Sequence, residues 1–239
     1  MNFQIIRPER LYLRVAEQLL TFIDSDQVTV GDRLPSERDL AEQFGVSRPT
    51  IREAMIALEL AGRVEIRSGS GVYVRNGRGV ESTIFTDDAP GPLELLEARY
   101  FIEGDAAALA AERATQDDID AIELAFQAMR EENEQAELHE TADERFHLLI
   151  AKAAGNSAIQ GVVRQLWQQR RTSRMSIFFH EKMRERGIKP VIRDHRAILD
   201  AIRQRNPVAA RQAMQVHLQG VIDVIVGDGD DAATGTTTG

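Results

Sequence analysis

The chain has 239 residues, 43% hydrophobic but only 5% aromatic, enough for two ordinary domains with cores built on Ala, Leu, Ile and Val, as in helical proteins. Cysteine is absent, which excludes disulfides and thiolate metal sites and leaves His, Asp and Glu to hold any metal. No apolar run approaches the roughly 18–20 residues of a membrane span, the opening MNFQIIRPER lacks the apolar centre of a secretory leader, and a cytoplasmic location is expected.

Apolar Leu13, Ala16, Leu20 and Ile23 recur at helical spacing from about Arg10 to Asp26. After a loop bracketed by Gly31 and Pro35, Ser36 to Asp39 has the form of a capping box and opens a short helix to Phe44. Gly45 breaks it. Ser47 caps a third helix, Pro49 is tolerated in its first turn, and Ile51, Ala54, Met55 and Leu58 carry it to about Ala61. Alternation at Val64 to Arg67, a turn at Ser68 to Gly71 and a return through Val72, Tyr73 and Val74 predict a β-hairpin.

Two short helices around a Gly turn, followed by a hairpin, define a winged helix-turn-helix over residues 1–78. Its second helix is expected in the major groove, with Ser47, Arg48, Thr50 and Arg52 at the start that faces base edges. Arg48 suits a bidentate fork on guanine; Arg52, one turn on, suits a base or a phosphate, and so does Arg38. Gly69 and Gly71 let the wing tip approach the minor groove. The net charge of −9 does not oppose this, because residues 1–78 carry 11 arginines, no lysine and 11 acidic residues, so the acidity lies in residues 79–239. Taken one at a time, these arginines are more readily read as a solvated helix face; the ordered set is what points to DNA.

The stretch LPSERDLAEQFGVSRPTIREAMIALELAGRVEIRSGSGVYV closely resembles the DNA-binding domain of the GntR family of regulators. The resemblance implies that Arg38, Arg48, Thr50, Arg52 and Gly69 lie at the operator. It also implies a homodimer on a palindromic double-stranded site, since two copies of one reading head match a two-fold operator.

Residues 79–91 read as a polar linker, and residues 227–239 as a disordered tail. Between them no strand is expected. Helical segments fall at about 92–113, 116–136, 139–154, 156–179, 190–204 and 207–226, separated by Gly155-Asn156, Gly187 with Pro190, and Asn206-Pro207. The fold class is therefore mostly α: a winged head with a small β-hairpin, then an all-α domain.

Five histidines occur, at 139, 147, 180, 195 and 217. Asp143 and His147 are four apart and share a helix face. His147 keeps register with Ile150 and Ala151, His195 with Ile198, Leu199 and Ile202, and His217 with Ala213, Val221 and Val224. Three inward histidines and a carboxylate suit a divalent ion such as zinc, nickel or manganese; they are also readable as hydrogen-bonded core residues. Arg99 lies on an apolar stripe between Leu95 and Ile102, and a buried guanidinium needs an anion, either an internal carboxylate or that of a ligand.

Residues 93–226 resemble the FCD domain of the FadR subfamily, a bundle of six or seven helices. The metal-binding pattern of that domain, Asp-x-x-x-His followed by two further histidines, falls on Asp143, His147, His195 and His217. His139 and His180 stand outside it. Segments GPLELLEARYFIE, LWQQRR and DHRAIL resemble regulators of hexuronate use, which implies that Trp167, Gln168 and Arg170 line an effector pocket with Arg99; for Trp167, core packing is the plain alternative. The expected protein is a repressor whose operator binding responds to a small carboxylate at a metal site. A regulator answering to the metal alone, and a metallohydrolase using Glu103 or Glu144 as base, are the competing readings.

Overall fold

The computed structural model describes residues 10–25, 27–67, 69–77, 89–134 and 141–227. The chain divides into two compact units, Met1–Ala89 with Val224–Gly239, and Pro90–Asp223. Most of the expected linker, the expected tail from residue 228, and His139 fall outside the described residues.

In the first unit, α1 (Leu11–Ile23) buries Tyr12, Leu13, Val15, Ala16, Leu19 and Ile23. α2 (Glu37–Phe44) starts where the Ser36 hydroxyl accepts the Asp39 backbone N–H at 3.2 Å. It stops at Gly45, whose φ of +65° is the left-handed conformation that lets the Val46 N–H return to the Ala41 carbonyl at 3.1 Å. α3 (Arg48–Leu60) starts the same way, with the Ser47 hydroxyl accepting the Thr50 N–H at 3.3 Å. Its Ile51, Met55 and Leu58 are fully buried and form the centre of this unit.

β1 (Val64–Arg67) and β2 (Gly71–Val74) pair antiparallel, Val64 opposite Val74 and Ile66 opposite Val72, and all four of these side chains are buried. The outer edge of β2 is covered by residues 31–34, with the Leu34 N–H on the Val72 carbonyl at 2.8 Å and the Gly31 N–H on the Val74 carbonyl at 2.9 Å. Gly71 sits at φ +116°, a conformation that side-chain-bearing residues rarely adopt, and the Arg33 guanidinium crosses the wing beside it.

The second unit holds α4 (Pro92–Arg113), α5 (Gln116–Glu134), α6 (Thr141–Ala153), α7 (Ser157–Thr172), α8 (Arg174–Glu185), α9 (Ile192–Arg203) and α10 (Pro207–Gly227), with no strand among its described residues. α4 is central: it packs against α6, α7, α8 and α9. Its buried Ala106, Ala107, Ala108, Ala110 and Ala111 have little side chain to hold neighbours away. The expected single helix over 156–179 is in fact two. Ser173 adopts an extended conformation, ψ 124°, ends α7 and caps α8 by accepting the Ser176 N–H at 3.3 Å. A hydroxyl that satisfies an orphan donor makes this break inexpensive.

Candidate functional site

In the first unit the start of α3 is presented outward. Ser47 is exposed, Thr50 and Arg48 are half-buried, and the Arg38 side chain is 77% exposed beside Asp39. Ser47 Oγ and Thr50 Oγ1 lie 2.8 Å apart, so the cap also orients the threonine. Gly69, at φ +65°, forms the exposed turn of the wing. Arg52 is placed differently from the other expected operator residues. Its side chain is only 5% exposed, and its Nη1 donates to Glu37 Oε1 at 2.6 Å. This pair ties the first turn of α2 to the second turn of α3. Fifteen residues separate the partners, and no local pattern connects them.

In the second unit, Asp143 and His147 come from α6, His195 from α9 and His217 from α10. All four are buried, and one potential ligand atom from each lies within 4.8 Å of the others. The His195 and His217 ring centres are 4.2 Å apart, and His147 lies 5.6 and 5.3 Å from them. The surroundings set which ring nitrogens face the cluster. His195 Nδ1 lies 2.9 Å from the Val191 carbonyl and its Nε2 lies 2.9 Å from Asp143 Oδ1; both partners only accept, so a ring with a single N–H donates to one of them at a time. His147 Nδ1 is engaged by Glu103 Oε2, and its Nε2 is buried without a hydrogen-bond partner, 3.7 Å from Asp143 Oδ1. His217 Nδ1 is likewise buried without one.

Burial pushes His147 and His217 below the usual imidazole range, more strongly at His217, where the neighbouring His195 and His147 add to the effect. Burial alone would raise the Asp143 carboxyl, but the His195 hydrogen bond and the charge of His147 hold it far below the ordinary carboxylate range. The cluster thus sets a carboxylate among three buried imidazoles, and among the described residues nothing hydrogen-bonds His147 Nε2 or His217 Nδ1. Buried polar atoms of that kind are costly and uncommon. Three nitrogens and one oxygen without sulfur are the donor set of a borderline divalent cation, and these four residues could hold one.

Beside this cluster, Arg99 has the internal partner that its sequence position left open. Its Nε donates to Glu103 Oε1 at 2.7 Å. The same oxygen accepts the Trp167 indole N–H at 3.1 Å. Arg99 and Arg170 both lie on the Trp167 ring, their guanidinium carbons 4.0 and 4.9 Å from its centre. Trp167 is fully buried and packs on Ala151 and Val163, so it is a core residue as well as the platform for two arginines. Arg170 Nε donates to His180 Nε2 at 3.0 Å, which brings His180 to the edge of the site. Burial, and then Arg170, keep His180 well below the usual imidazole range. Gln168 is not part of this group: it is exposed on the outer side of α7, in a surface groove with Arg164, Gln165 and Thr172. Burial would raise Glu103, but Arg99 and His147 lower it to about 2. Glu103 is the central acceptor that sequence reasoning missed in this role; its only signal is the four-residue spacing from Arg99, which puts both on one helix face.

A winged helix-turn-helix followed by a separate all-helical unit with a buried polar centre is the architecture of a DNA-binding regulator. Residues 11–74 match the model of the gntR family of bacterial regulatory proteins, and residues 94–220 match the FCD domain. The chain is 37% identical to the Uxu operon regulator of Haemophilus influenzae, over 89% of this chain and 80% of that protein. It is 36% identical to the Exu regulon transcriptional regulator of Escherichia coli, over 90% and 84%. Its identity to the putative L-lactate dehydrogenase operon regulatory protein of Escherichia coli is 35%, over 91% and 87%. The chain belongs to the GntR family and is a transcriptional regulator with an FCD domain; these relatives are regulators rather than enzymes. No helix among the described residues is long and apolar enough to cross a membrane.

Proposed function

We propose that the protein is a homodimeric repressor that binds a palindromic operator through Arg38, Ser47, Arg48, Thr50, Arg52 and Gly69, and is released by a sugar acid bound in the helical unit. The observation that carries the sensing half is the buried cluster of Asp143, His147, His195 and His217, with ring nitrogens of His147 and His217 left unsatisfied. A divalent ion held there would supply fixed positive charge and open positions for oxygen ligands. Counting Arg99 and Arg170 against Glu103 and Asp143, with neutral histidines, the site gains two positive charges when loaded, and a carboxylate complements it. The Trp167 face and Arg170 are then the second contact surface for the ligand. Identity to the Uxu and Exu regulators favours a hexuronate such as glucuronate or galacturonate, and the lactate-operon relative makes lactate the leading comparison.

Such a ligand shifts operator binding only through different affinities for the DNA-competent and released states. For Arg52 to reach DNA, its guanidinium must offer donors beyond the one that Glu37 holds, which a planar fork with five N–H groups allows. The internal engagement of Arg99 by Glu103 supports a second reading, in which the ion alone is the signal.

Thermal unfolding of zinc-loaded protein with glucuronate, galacturonate, fructuronate, mannonate, lactate, citrate and sialic acid, with and without chelator, separates the two. A ligand at 100 times its dissociation constant stabilises by about 2.7 kcal/mol, a shift of several degrees. A chelator-sensitive shift with one sugar acid supports the reading. A shift on adding zinc that no acid extends withdraws the effector and leaves the ion as signal.

A further inference from the structure

Glu103 has no place in the ligand set, yet three buried side chains converge on its carboxylate. Its Oε1 accepts from Arg99 Nε at 2.7 Å and from Trp167 Nε1 at 3.1 Å, and its Oε2 takes His147 Nδ1. It is 2% exposed, so water does not compete for these bonds. We propose that Glu103 is a positioning residue that holds His147 as the Nδ1–H tautomer, so that the Nε2 lone pair faces the cluster, and that it ties this choice to Arg99. The inference rests on the metal reading above.

The reasoning is one of donor and acceptor matching. A neutral imidazole carries one N–H and one lone pair, and its ligating nitrogen must be the bare one. A carboxylate can only accept, so contact with Glu103 places the proton on Nδ1. The lone pair then falls on Nε2, which is buried without a hydrogen-bond partner among the described residues and lies 3.7 Å from Asp143 Oδ1, toward the cluster. An outer carboxylate of this kind fixes ring orientation and raises ligand basicity. Arg99 and Trp167 add a constraint of their own. Both are obligate donors on Oε1, so they fix which way round any replacement must sit.

That constraint makes Glu103→Gln a discriminating variant. The side chain is nearly isosteric, but its single carbonyl oxygen must face Arg99 and Trp167. The amide NH2 is thereby turned toward His147 Nδ1, where it donates. His147 is then driven to the opposite tautomer, with its proton on Nε2, the nitrogen needed for metal. A residue of merely structural importance would lower stability without inverting a tautomer.

The test uses full-length protein labelled with 15N-histidine, whose five histidines give a resolvable ring spectrum. Metal-free wild type at pH 8 is expected to show His147 bare at Nε2 and protonated at Nδ1. Glu103→Gln is expected to show the reverse and to bind zinc about 10–100-fold more weakly in competition with a chromophoric chelator, the usual size of an outer-carboxylate effect. A wild-type spectrum with the proton on Nε2 overturns the proposal without any variant, which matters should Glu103→Gln fail to fold with Arg99 left uncompensated. Wild type that binds zinc and a folded variant that binds equally well overturn the proposal alone. Wild type that binds no zinc overturns the metal reading and this inference with it.

Discussion

In the winged unit, Arg38, Ser47, Arg48 and Thr50 stand wholly or partly in solvent, while Asp143, His147, His195 and His217 in the helical unit are buried. The first group is placed by helix caps and needs little from the rest of the chain. The second is assembled by three helices and leaves lone pairs without partners. Groups that stand wholly or partly in solvent keep water as a partner and so lose little by desolvation. A buried polar centre is costly at all times unless something fills it. The same cost of burial separates residues of one type: Arg38 is 77% exposed, whereas Arg52 in the winged unit and Arg99 in the helical unit lie almost fully inside, each bonded to a glutamate.

The sharpest break of this contrast is Arg52→Ala. If Arg52 is integral to the winged unit, its removal leaves Glu37 as an unpaired buried charge and costs about 3–5 kcal/mol of stability, read by chemical denaturation, together with any loss of operator binding. Unchanged stability would return Arg52 to the group of surface readers. Arg48→Ala is the complementary case. Operator affinity should fall by about 1–3 kcal/mol, the worth of one bidentate base contact, in a fluorescence anisotropy titration at fixed salt.

The helical unit has a pH signature near neutrality, because all five histidines of the chain lie between residues 139 and 217. His180 and His217 are both held below the ordinary imidazole value by burial. The unfolded chain therefore binds protons near pH 6.5 that the folded chain refuses. Stability from these groups is fully present above about pH 6.5 and is lost as the pH falls through and below that value. The metal-free protein should melt at progressively lower temperature from pH 7 to pH 5 in calorimetry. Glu103 and Asp143, whose values are lowered, act only in the more acidic window near and below pH 4.5. A midpoint that rises on acidification would mean that the histidines are charged in the fold. The smallest effect is expected of Gln168→Ala: because Gln168 faces outward, sugar-acid affinity should stay within about twofold, and a tenfold loss would place it in the pocket after all.

Much of the winged unit was legible residue by residue. Ser36, Gly45, Ser47 and Pro49 act within one helical turn, and the hairpin follows from alternation around a Gly-rich turn, so its elements begin and end close to where the sequence puts them. In the helical unit, Asp143 and His147 were legible as a pair because four residues is one turn. His195 and His217 were legible as inward-facing because each rides an apolar stripe. The break at Ser173 is not legible in the sequence, since the apolar pattern continues across it while only a hydroxyl marks the cap.

By itself, then, the sequence determined the order of the helices and the hairpin, the face that each candidate ligand occupies and the family, all of which depend on neighbours within a turn or on contiguous motif. Tertiary structure alone decided which faces meet. Glu37 with Arg52, Glu103 with His147 and Asp143 with His195 are separated by 15, 44 and 52 residues. Their pairing comes from how helices pack, because burial obliges each charge or imidazole to find whatever partner the neighbouring helix brings within reach.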